Sequence, residues 1–103
     1  MIEFYNPYTR VTLVYPVKDV KKYVKFILLK VGIPDLEDAL FNCWQISASL
    51  SEEERKMLAV VQTIVSATKD GYIKPEDFDI FRLAGEVAAE AGININSNRI
   101  EPS

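Results

Sequence analysis

Residues 51–71 leave the chain the least freedom. Ser51-Glu52-Glu53-Glu54 reads as a capping box: the serine hydroxyl takes a backbone N–H three residues on, and the glutamate there reaches back. The three acids also suit the positive end of a helix dipole. Behind them Met57, Leu58, Val61, Ile64, Val65 and Thr68 recur at the spacing of one helical face, and Lys69-Asp70-Gly71 ends the run. A long helix with one apolar stripe is stabilised mainly by packing, so other elements must cover this one.

Three further segments supply the partners. Over about 18–31, Val20, Tyr23, Val24, Ile27 and Val31 share a face, and Gly32-Ile33-Pro34 reads as a Schellman-type stop. Over about 35–48, Asp35 is the expected N-cap and Leu36, Ala39, Leu40, Cys43 and Trp44 the stripe. The last helix is expected to start near Pro75, a residue suited to the first helical position, with Glu76 and Asp77 in its first turn. Its inward face reads Phe78, Phe81, Ala84, Val87, Ala88 and Ala91, and Gly92-Ile93 repeats the earlier stop.

The N-terminus has a different period. Ile2 and Phe4, then Val11, Leu13 and Tyr15, alternate with other residues as in half-buried strands. Asn6-Pro7-Tyr8-Thr9 between them suits a type I turn, and Pro16 closes a β-hairpin over roughly 2–15. At 103 residues and 49% hydrophobic, the chain has enough apolar material for one domain. The expected fold is mainly α, a compact bundle of about four helices with an N-terminal β-hairpin, spanning residues 1–93. Residues 94–103 are expected to form a flexible tail, with a short strand at 93–95 added to the hairpin as the alternative.

Several chemistries lack their residues. The chain has no histidine and one cysteine, which removes Ser-His and Cys-His catalysis and leaves zinc without its usual Cys and His set. Cys43 lies in the apolar run Ala39–Trp44 and reads as a small buried hydrophobe. No cofactor is implied. There is no basic leader followed by an apolar core, and fully apolar runs such as Phe26 to Leu29 and Met57 to Val61 are too short to span a membrane. These features predict a cytoplasmic protein. Residues 1–50 carry six basic and five acidic side chains, residues 51–103 six and ten, so +1 and −4 give the net −3. That field is mildly repulsive to phosphate.

The connection from Ser66 to Asp77 has part of a calcium-loop pattern. Aligned on Gly71, Asp70, Ile73 and Asp77 take loop positions 5, 8 and 12. Ser66, Thr68 and Lys74 at positions 1, 3 and 9 are poor or wrong ligands, so the structural reading leads: Gly71 turns the chain, Asp70 caps it and Ile73 plugs between two helices. The run from Leu58 through Lys69-Asp70-Gly71-Tyr72-Ile73-Lys74-Pro75-Glu76-Asp77 to Gly92-Ile93 resembles the TerB-like domains, named for tellurite resistance, over about residues 57–93. The resemblance implies an all-helical module of stress-response or co-chaperone settings, with Asp70, Glu76 and Asp77 as the acidic positions of a metal site.

Two other groups are candidates for contact. Lys18, Lys21, Lys22 and Lys25 share one face of the first helix and could meet nucleic acid or an anionic surface, although such runs are commonly just solvated. Phe4, Tyr5, Tyr8 and Tyr15 crowd the hairpin, and one helical layer cannot cover both of its faces. The leading expectation is a small, non-enzymatic protein-interaction or assembly module, self-associating as a homodimer or binding another protein. The alternatives are a nucleic-acid accessory protein and a TerB-like metal-binding or stress-response domain.

Overall fold

The computed structural model describes residues 1–6 and 9–93. In order these form β1 (Ile2–Asn6), β2 (Val11–Tyr15), α1 (Val17–Val31), α2 (Leu36–Gln45), a 3-10 turn (Ser47–Ser49), α3 (Glu52–Lys69) and α4 (Ile80–Ala91). The fold is thus a four-helix bundle with an N-terminal antiparallel hairpin. The expected tail, and the alternative strand past residue 93, lie outside the described residues.

The hairpin pairs Ile2 with Tyr15, Phe4 with Leu13 and Asn6 with Val11 on one face, and Glu3 with Val14 and Tyr5 with Thr12 on the other. Asn6 organises the connection: its carbonyl accepts from the Arg10 N–H at 2.8 Å and its side chain from the Thr9 N–H at 3.4 Å. Arg10 adopts a left-handed φ of 59° to bring the chain back into β2. Pro7 and Tyr8, at the centre of the expected turn, lie outside the described residues.

Helix α1 is the hub. Val20, Val24, Ile27 and Leu28 are wholly covered, and the helix packs against α2, α3 and α4. Gly32 stops it at φ 67°, its N–H bonding the Leu28 carbonyl at 2.8 Å. Asp35 caps α2 by accepting the Asp38 N–H at 3.0 Å. In the capping box of α3, the Glu54 N–H donates to Ser51 Oγ at 3.1 Å and the Ser51 N–H to Glu54 Oε1 at 2.9 Å. A full Schellman pair closes α4: the Ile93 N–H bonds the Ala88 carbonyl at 2.9 Å and the Gly92 N–H that of Ala89 at 3.3 Å.

The start of α4 differs from expectation. Pro75, Glu76 and Asp77 form a separate turn, in which the N–H groups of Asp77 and Phe78 close on the Lys74 carbonyl at 2.9 and 3.0 Å. Asp79 then takes an extended conformation, and its carboxylate accepts from the N–H groups of Phe81 and Arg82, both at 3.1 Å. An aspartate able to satisfy two orphan donors competes with helix continuation, so the helix restarts there. The inward face keeps Ala84, Val87 and Ala88 as expected and gains Ile80, whereas Phe81 is exposed. Asp79→Ala should therefore cost about 1 kcal/mol of stability, the usual worth of an N-cap, and Glu76→Ala less than about 0.5 kcal/mol. Chemical denaturation of the two variants checks this, because a helix beginning at Pro75 would reverse their order.

Candidate functional site

The hairpin presents the most unusual surface. Ile2 and Phe4 of β1 are buried in the core, whereas Leu13 and Tyr15 opposite them in β2 are only partly covered. Burial pushes the Tyr15 phenol up from its ordinary pKa. Val11 and Val14 are exposed at 49% and 46%, and Tyr5 stands out on the outer face. Among the described residues the sheet has two strands, and β2 makes no backbone hydrogen bond to any element but β1. A cleft of about 220 Å³ lies between Phe4 and Asn6 on one side and Gln62, Ser66, Ala67 and Tyr72 on the other. The inner face of β1 therefore meets α3 across this cleft, and β2 is an edge strand. Of the expected contact residues, Phe4 belongs to the core, Tyr5 and part of Tyr15 are available, and Tyr8 lies outside the described residues.

A second surface was not expected from the sequence. Phe41 is 62% exposed and Trp44 36%, and they border a shallow recess of about 140 Å³ with Glu37, Leu40, Gln62 and Val65 between α2 and α3. The Trp44 indole N–H donates to Gln62 Oε1 at 3.3 Å, and Lys69 Nζ bridges to Glu37 Oε2 at 2.7 Å across the same helix pair. That hydrogen bond, with the Glu37 charge, raises the Lys69 pKa. Phe41 lies off the buried stripe of α2, which is the signal that could have marked it. Trp44 is on the expected stripe, but near the end of the helix it stays 36% exposed.

The acidic turn has a plain geometry. Ser66 and Thr68, positions 1 and 3 of the calcium-loop alignment, are still inside α3, and Thr68 Oγ1 donates to the Ile64 carbonyl at 2.8 Å. Asp70 is the C-cap of α3, Gly71 has φ 88°, and the Tyr72 and Ile73 N–H groups both bond the Ala67 carbonyl, at 2.8 and 3.2 Å. Ile73 is buried. Glu76 and Asp77 are exposed in the following turn. Among the described residues no three Asp, Glu or Cys side chains form a group able to hold a metal ion, so the structure does not bring Asp70, Glu76 and Asp77 together as one.

Lys18, Lys21, Lys22 and Lys25 are all exposed on α1. Lys21 Nζ lies 3.5 Å from Glu90 Oε1 of α4. Lys22 and Tyr23 border a recess of about 660 Å³ with Glu52, Glu53 and Lys56 of α3. Acids thus stand among the bases, which weakens the field a phosphate would feel. Cys43 is buried; burial raises its thiol pKa, and Sγ lies 3.8 Å from the Ile27 carbonyl. That environment holds the sulfur as an inert thiol. No helix among the described residues is long and apolar enough to cross a membrane.

Comparison with known proteins finds no matching family model, no matching curated protein and no matching solved structure.

Proposed function

We propose that the protein is a small non-enzymatic assembly module of the cytoplasm, acting by contact with a second copy of itself. The observation that carries this reading is β2. It is an outer strand with uncharged residues, two exposed valines and a backbone edge that the described residues leave open. Such an edge invites another strand, and proteins that keep strands unpaired usually guard them with charge or proline. Phe41 and Trp44 offer a further apolar contact, smaller than a stable interface needs by itself. The buried free thiol of Cys43 suits a reducing compartment.

The other readings have less support. A nucleic-acid role for the lysine face competes with the Lys21–Glu90 pair and with Glu52 and Glu53 beside Lys22. A TerB-like metal role asks Asp70, Glu76 and Asp77 to converge, and nothing in their geometry favours it. Light scattering on the purified chain from about 10 µM to 1 mM tests the leading reading, in the affinity range expected of a small interface. The weight-average mass should climb from the 11.7 kDa monomer toward twice that value. A constant monomer mass over that range would contradict it.

A further inference from the structure

We infer that the second copy docks by adding its own β2 to this β2, antiparallel and centred on Leu13, to make a four-stranded sheet across a two-fold axis. The inference rests on the self-association proposed above and names its surface and register.

Three observations select this edge. The hairpin is seated on the helices along β1, where Ile2 and Phe4 are buried, and lifts away along β2, where Leu13 and Tyr15 are only partly covered. Phe4 and Asn6 of β1 also line a cleft with Gln62 and Ser66 of α3, and among the described residues β2 makes no backbone hydrogen bond to any element but β1. The sequence Val-Thr-Leu-Val-Tyr is β-prone throughout and carries no charge. An identical strand brings no like-charge repulsion to it.

The strand is also self-complementary. An antiparallel pair centred on Leu13 sets Leu13 against Leu13 of the partner subunit. Val11 then meets Tyr15 of the partner subunit on the bundle side. On the solvent side Thr12 meets Val14 of the partner subunit. Aromatic and β-branched cross-strand pairs are the favourable kind, and this register makes them twice by symmetry. A one-residue shift would set bundle-facing side chains against solvent-facing ones. Five residues of strand bury less than the roughly 800 Å² per partner of a standard interface, so the dimer should be weak and concentration-dependent.

Two double variants read the register. Positions 12 and 14 are exposed, and residue 14 lies opposite Glu3 within the hairpin, so a lysine there has a partner in the monomer. Thr12→Lys with Val14→Lys sets lysine against lysine twice across the proposed interface. Thr12→Glu with Val14→Lys sets glutamate against lysine twice. Sedimentation equilibrium at low salt, with circular dichroism to verify folding, should show the dimer dissociation constant raised about tenfold in the first variant and within about twofold of wild type in the second. If both variants dimerise like wild type, the β2 edge is not the contact, and self-association through another surface stands. If both are weakened alike, the Leu13 register is wrong. A wild-type chain that stays monomeric throughout overturns this inference and the reading beneath it together.

Discussion

Ile27→Ala should lower the unfolding free energy by about 3–4 kcal/mol, the cost of cutting a large aliphatic side chain from a core that cannot close over the gap. Ile27 is wholly covered in α1, the helix that packs against all three others, so no neighbouring segment is free to collapse into the space. For a domain of this length the loss corresponds to a fall in Tm of about 12–25 °C. Urea denaturation should show a lower midpoint with an unchanged slope. Leu29→Ala, two residues away on the exposed side, should cost less than about 1 kcal/mol. Equal costs at the two positions would mean that α1 is not packed as described.

Ile73→Ala should cost about 2–4 kcal/mol, although Ile73 lies in a connection. Its side chain is buried and its N–H is tied to the Ala67 carbonyl, so it fastens the exit of α3 to the core. Asp77→Ala, in the exposed turn beyond, should change stability by less than about 0.5 kcal/mol. Millimolar calcium or manganese should leave the melting temperature of the unaltered chain where it was. A rise of several degrees on adding either ion, abolished by Asp77→Ala, would instead make the turn a cation site.

Most of the bundle was legible because its signals are local. The capping box at Ser51, the N-cap at Asp35 and the glycines at 32, 71 and 92 each act within a few residues of themselves, and all occupy the expected positions. The alternation at Ile2, Phe4, Leu13 and Tyr15 likewise marked the inner face of the hairpin. The start of α4 is not legible in the sequence because Pro75-Glu76-Asp77 is an equally good first turn. What decided against it was Asp79, whose side chain takes two N–H groups and forces a restart.

The candidate contact surfaces were less legible, since exposure depends on what lies opposite. Periodicity could not say that Phe4 would be covered while Val11, in the same alternation, would stay open. Nor could it say that Trp44 would sit at the rim of the α2–α3 seam. One sequence sign did bear on the matter: Val11-Thr12-Leu13-Val14-Tyr15 is apolar on both of its faces, and a strand covered on one side only has no intramolecular use for the second.

Amide hydrogen exchange along β2, followed by NMR as a function of protein concentration, tests the central claim most directly. In the monomer the amides on the outer edge of Val11–Tyr15 have no backbone acceptor among the described residues and should exchange fast, while those facing β1 are slowed. As the concentration rises, the outer amides alone should gain protection, in step with the growth in mass. Outer amides that exchange equally fast at every concentration, while the mass grows, would contradict a dimer built on this edge.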